Sequence, residues 1–281
     1  MNKKQLGDYL REKISERFPE LTFSVDEVRK PQKRYTALIA EYREAGVGAC
    51  LDLDMLLREL EKGKPLPEVA DFAIGILKNG FRDLPGFDVT DLSDYGKCRN
   101  RLFAEAIPTA ENRDLLRTVP HMEILDLSVI CRVCIDDHQS ATAVVTRDFL
   151  EDWGIPEETL LDDTLASAQR LFPLHIDTFR ELCPSVRSDN FPALIACVRN
   201  RYGAAVIAYP DFIEKALKKA GGPFYILPSS IDELLILPES FHPDPEELRE
   251  MVRRINRTEL SPEDRLSDNV YFCDGTSILV T

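Results

Sequence analysis

Three times in 281 residues, two apolar runs of strand length are followed by an amphipathic stretch that closes at glycine, at about 37–63, 127–154 and 193–221. Hairpins backed by a helix bury one sheet face and leave the other exposed. That layering favours an α+β fold with largely antiparallel sheets covered by helices over a doubly wound parallel one. The first and third stretches share Ala-Leu-Ile-Ala in the leading strand and Gly-Ala in the second (Gly48-Ala49, Gly203-Ala204). The fold expected is therefore a set of repeated strand-strand-helix units. No fixed repeat period marks a solenoid.

Around these units the signals are local. Leu6, Leu10, Ile14 and Phe18 recur every four residues and mark a first helix stopped by Pro19. Leu21, Phe23 and Val25 alternate as a half-buried strand does. Asp54 is the expected N-cap of a helix ending at Gly63, and the next helix opens at Pro67 with Val69, Phe72, Ala73 and Ile76 on one face. A short helix is expected at 111–118 and one long buried strand at 124–135, turning at Asp136-Asp137-His138-Gln139-Ser140. Residues 203–208 read as a strand, and Asp244-Pro245-Glu246-Glu247 is a helix start with proline at the first position. Asp274-Gly275 is a hairpin turn. The stretch 80–94, with Pro85-Gly86, reads as a loop, dividing the chain into a unit at 1–85 and a second at 86–281 closely packed on it.

The net charge of −14 argues against a nucleic-acid partner, because such binding draws its affinity from cations that displace counterions. No apolar run approaches the roughly 20 residues of a membrane span. Seven scattered cysteines, several inside apolar runs, fit free core thiols in a cytoplasmic protein.

Few motifs carry chemistry. Cys131-Arg132-Val133-Cys134 has redox or zinc spacing but lies in a strand, where residues three apart point to opposite faces, so structural cysteines are expected. The four histidines show no metal spacing, although a histidine can still meet a cysteine or carboxylate through the fold. Phosphate-cradling glycine loops and the nucleophile elbow are missing, and no metal or cofactor is expected. The most site-like segment is Pro228-Ser229-Ser230-Ile231-Asp232-Glu233, where an apolar strand delivers two hydroxyls and two carboxylates to a turn. Ser229, Ser230, Asp232 and Glu233 are the candidate binding residues there. The plainer account is that Ser230 and Glu233, at capping-box spacing, tie down the backbone. Two basic patches add Arg29, Lys30, Lys33 and Arg34, and Arg249, Arg253, Arg254 and Arg257 on the outer side of the helix after Asp244. Glu246 and Glu250 are spaced to pair with those arginines; Arg249 and Arg253 are the binding candidates.

Several stretches resemble an uncharacterised bacterial family, the domain-of-unknown-function family 5688. They are Val119-Pro120-His121 with Leu125-Asp126-Leu127, Trp153-Gly154-Ile155-Pro156-Glu157-Glu158, Asn200-Arg201-Tyr202-Gly203-Ala204-Ala205, residues 224–238, and Leu266-Ser267-Asp268-Asn269-Val270-Tyr271. The resemblance runs over roughly 35–274 and implies a bacterial cytoplasmic protein, in some cases from mobile-element settings. It supplies no catalytic residue. Asp232 stands where that family often has histidine. The expected function is a non-enzymatic protein-binding or regulatory module with a protein partner. The alternative is a metal-independent hydrolase or transferase at the 228–233 turn.

Overall fold

The computed structural model describes residues 1–42, 47–82, 92–135, 142–178, 193–199, 201–228 and 230–281. The expected turn at Asp136–Ser140 with His138, most of the 80–94 loop, Cys183 and the candidate Ser229 lie outside them. The chain forms two compact units, the first comprising mainly Met1–Asp94, the second Tyr95–Cys134 with Thr142–Thr281. Every strand pairing described is antiparallel, and the fold is α+β.

In the first unit β1 (Leu21–Lys30), β2 (Lys33–Tyr42) and β3 (Val47–Asp52) form a sheet in that order. Three helices, α1 (Lys3–Ser15), α2 (Leu53–Glu61) and α3 (Leu66–Arg82), share a core with one face of it. Leu6, Leu10 and Ile14 are fully buried, as the four-residue spacing requires. Asn2 caps α1 reciprocally with Gln5. The cap of α2 is Asp52 and not Asp54. Asp52 still has extended backbone, and its carboxylate accepts from the Met55 N–H. Asp54 sits inside the first turn, where it accepts the Thr36 N–H and pairs with Lys3. On α3 the buried stripe is Val69, Ala70, Ala73, Ile74 and Leu77. Phe72 falls off that stripe and is exposed beneath the Lys64 ammonium.

The second unit holds two sheets. One contains β4 (Leu102–Pro108), β5 (His121–Ile124), β6 (Leu127–Cys134) and β7 (Thr142–Val144), with β6 paired to the other three. The expected long strand at 124–135 is thus split. Leu125 adopts the left-handed conformation (φ 58°), which costs about 1–2 kcal/mol for a residue with a Cβ. The turn is held because the Asp126 carboxylate accepts hydrogen bonds from Ser267 Oγ, Asn269 Nδ2 and the Tyr271 hydroxyl. The helix expected at 111–118 shrinks to α5 (Arg113–Leu116); α4 (Tyr95–Cys98) is equally short. Next come α6 (Arg147–Trp153), closed by left-handed Gly154, and α7 (Glu157–Leu171), which packs on β4 and β6.

The larger sheet combines β8 (His175–Thr178), β9 (Leu194–Cys197), β10 (Phe224–Leu227), β11 (Glu233–Pro238), β12 (Tyr271–Cys273) and β13 (Ile278–Val280), in the order β13-β12-β10-β11-β9-β8. One face, with Ala196, Phe224, Ile226, Leu234 and Ile236, packs on α8 (Phe212–Ala220) through Phe212 and Ala216. On the other, Leu227, Leu237 and Val270 meet Leu248 and Val252 of α9 (Pro245–Thr258). Residues 203–208 form a 3-10 helix and not the expected strand, so the third strand-strand-helix unit is not realised. The segment opens at Gly203, where a Cβ would lie 2.1 Å from the Asp232 carbonyl oxygen, so only glycine fits there. Among the described residues no helix is long and apolar enough to cross a membrane.

Candidate functional site

The turn between β10 and β11 is clamped from both sides. Outside it, the Ser267 N–H donates to the Pro228 carbonyl and the Ile231 N–H to that of Asp264, while Ser230 bridges to Arg265. Inside it, the Asp232 carboxylate accepts the Tyr202 N–H at 3.0 Å, and the Ile231 carbonyl accepts the Ala204 N–H at 3.1 Å. Segments 201–205 and 230–233 therefore form one body around Gly203. Ser230 is buried, and its Oγ accepts the Asp232 N–H at 3.0 Å. No helix follows, so the capping-box spacing serves a turn between strands.

Behind this body lies a charged cluster. Tyr202, itself left-handed (φ 68°), presents its ring to two guanidinium groups, with Arg132 5.1 Å and Arg201 5.4 Å from the ring centroid. Arg132 donates to Glu105 at 2.7 Å and to Thr142 Oγ1 at 2.7 Å. Burial raises the Glu105 carboxyl above the usual carboxylate range, against the pull of Arg132. Burial likewise raises the Tyr202 phenol. This is a buried ion pair under an aromatic cover. Its strand β4 escaped the sequence reading, yet a signal was present: Glu105 and Arg132 each interrupt an apolar run, and a buried charge needs a partner.

Directly paired residues in an antiparallel sheet share a face. Cys197 pairs with His175 on one side and with Glu233 on the other, so imidazole, thiol and carboxylate stand in a row on the face of the larger sheet that also carries Leu237. All three are partly exposed. Burial raises the Glu233 carboxyl, and Asp232 adds to the effect.

Arg249 does not stand free on the outer side of its helix. It bonds Glu246 and the Thr281 carbonyl, so it holds the chain's last residue beside β13. Arg253 lies one turn on, half-buried; Arg254 and Arg257 are exposed. Cys131 and Cys134 are both buried free thiols. Burial pushes the Cys131 thiol up to about 12.

A model of a family described as a family of unknown function, DUF5688, matches residues 3–274. No curated protein and no solved structure matches the chain.

Proposed function

The chain belongs to DUF5688, and from that premise we propose that it is a non-enzymatic protein-binding or regulatory module that docks a partner on its edge strand, β13. The observation that supports this is the strand itself. It is the outermost of six, it exposes Leu279 by 57% and Val280 by 47%, and among the described residues no strand pairs with its outer side. Natural edges are usually guarded by lysine, proline or a bulge. Here Ser277-Ile278-Leu279-Val280-Thr281 carries no such guard. An extended segment added to that edge gains main-chain hydrogen bonds and places alternate side chains on the sheet face. That face offers the directly paired Phe272 and Leu279 at the edge. The burial of Ser230, whose Oγ accepts the Asp232 N–H, favours the same reading over hydrolysis, because a nucleophilic hydroxyl needs access to its substrate and a base to take its proton. We place the protein in the bacterial cytoplasm, which the free thiols of its described cysteines support.

The test places a photo-crosslinking residue at Ser277 of the full chain, in cells that express it. One protein species is captured reproducibly, and Leu279→Lys with Val280→Lys abolishes capture without changing the melting temperature. Capture no better than background, or capture that survives both lysines, refutes the docking edge.

A further inference from the structure

The backbone of β13 is symmetric about its middle residue. In an antiparallel pair, successive residues aim their N–H and C=O groups alternately toward one neighbour and away from it. On β13 the Thr281 N–H donates to the Val270 carbonyl at 3.0 Å, and the Ser277 carbonyl accepts the Asp274 N–H at 3.3 Å. Positions 277, 279 and 281 therefore turn their main-chain groups inward to β12. Ile278 and Val280 turn theirs outward, and they stand at equal distances on either side of Leu279.

The side chains repeat that symmetry. Ser277-Ile278-Leu279-Val280-Thr281 reads alike in both directions: hydroxyl, β-branched, leucine, β-branched, hydroxyl. A foreign strand would need an open apolar edge, but it would not need this. A two-fold axis does need it, because each copy must complement itself.

We infer that β13 pairs antiparallel with β13 of a second copy of this chain, about a two-fold axis at Leu279; the inference rests on β13 being a docking edge. In that register Ile278 of each copy faces Val280 of the other. Both pairs are of the hydrogen-bonded kind, so the outward N–H and C=O groups at 278 and 280 satisfy one another. A register shifted by one residue sets an outward-facing residue against an inward-facing one, and a shift of two leaves a single bonded pair. Apolar surface is covered on both sheet faces. Leu279, 57% exposed, meets its own counterpart on the face it shares with Phe272. Val280, 47% exposed, meets Ile278 of the second copy on the face it shares with Tyr271. Although the chain carries a net charge of −14, residues 275–281 hold no charged side chain, so like charges do not meet at this edge. Antiparallel pairing also brings the acidic turn at Asp274 of one copy toward the end of β13 that Arg249 holds in the other.

The experiment uses the purified, reduced full chain. Sedimentation velocity from about 1 to 200 µM shows monomer passing to dimer, as suits a contact at the small end of stable interfaces. Leu279→Lys with Val280→Lys leaves only monomer. Leu279→Cys reads the register without adding charge. At the axis the two residues at position 279 form a non-hydrogen-bonded pair with Cα atoms about 4.5 Å apart, within disulfide reach. Under mild oxidation Leu279→Cys gives a linked dimer about tenfold faster than the parent or Ser277→Cys, whose thiols stand roughly 13 Å apart along the paired strands. A chain that stays monomeric throughout overturns the self-pairing. So does a Leu279→Cys protein that links no faster than Ser277→Cys, or a dimer that survives both lysines. If the photo-crosslinker at position 277 then captures a different protein, β13 remains a docking edge and only its pairing with a second copy is rejected.

Discussion

Replacing Gly203 by alanine tests the central packing contact of the second unit. An added Cβ would stand 2.1 Å from the Asp232 carbonyl oxygen and 2.9 Å from the Val198 nitrogen. A carbon and an oxygen rest comfortably at about 3.3–3.6 Å, so the two segments must part by about 1 Å. Both obstructing atoms are backbone, and no rotamer can relieve them. Parting stretches the Ala204 N–H bond to Ile231 and the Tyr202 N–H bond to the Asp232 carboxylate. The first contributes about 1 kcal/mol and the second, to a charged acceptor, about 1.5–3. Overpacking adds about 1–3 kcal/mol, so the expected loss is about 3.5–7 kcal/mol, a large share of the roughly 5–15 that holds a domain folded. The control is Gly221→Ala. Gly221 has φ +78° and nothing within 4 Å of the added atom, so only the left-handed penalty of about 1–2 kcal/mol applies. Urea unfolding followed by tryptophan fluorescence reads the second unit alone, since Trp153 is the chain's single tryptophan and lies there. If Gly203→Ala proves no worse than Gly221→Ala, the contact does not organise the unit and the reasoning fails.

Three further outcomes follow from the same contacts. Glu105→Gln leaves the Arg132 guanidinium, whose side chain is 11% exposed, without its carboxylate and lowers unfolding stability by about 3–5 kcal/mol, whereas Glu105→Leu with Arg132→Met restores most of it; urea midpoints of the three chains decide. Burial alone would raise the Asp163 carboxyl, but hydrogen bonds from Tyr95 and Arg99 and the charges of Arg99 and Arg170 hold it below the usual range. Its stabilisation is therefore fully present above the unfolded value, about pH 3.9, and is lost as pH falls through the lower folded value; thermal melts should show the deficit of Asp163→Asn shrinking over that acidic span and constant above it. Asp126→Asn faces three donors with an amide that can accept only at its oxygen, and costs about 2–4 kcal/mol by urea titration.

What could be read from the chain alone was whatever is decided by near neighbours. The spacing of Leu6, Leu10 and Ile14 and the Asp274-Gly275 turn concern residues within a few positions of one another. Asp274 shows why: its carboxylate takes the Thr276 and Ser277 N–H groups, two and three residues on. The misreadings have distant causes. Leu125 is left-handed because Asp126 is held by side chains more than 140 residues away, and apolar periodicity alone reads straight through it. Residues 203–208 have a strand's composition, but the start of the segment is tied to Asp232 and Ile231, which lie about 30 residues on, and not to a neighbouring strand. The Ser230–Glu233 spacing fits a helix cap and a strand turn equally, and only the pairing of β10 with β11 chooses between them.

The row of His175, Cys197 and Glu233 is hidden for a stronger reason: it is a property of register. β8 is four residues long, too short to show alternation, and nothing local links His175 to Cys197 or Cys197 to Glu233. A one-residue slip of β9 would turn Cys197 to the opposite face and put Ala196 in its place. What prevents the slip stands at the end of the row. Val198 follows Cys197 and Asp232 precedes Glu233, and these are the two residues whose backbone closes on Gly203. One glycine thus sets β9 against β11 at the position where thiol and carboxylate become neighbours. Gly203→Ala should accordingly loosen the pairing of β9 with β11 even where the chain remains folded, and amide hydrogen exchange in those two strands reads it. A Gly203→Ala protein whose β9 and β11 amides exchanged as the parent's do would show that the register is fixed elsewhere.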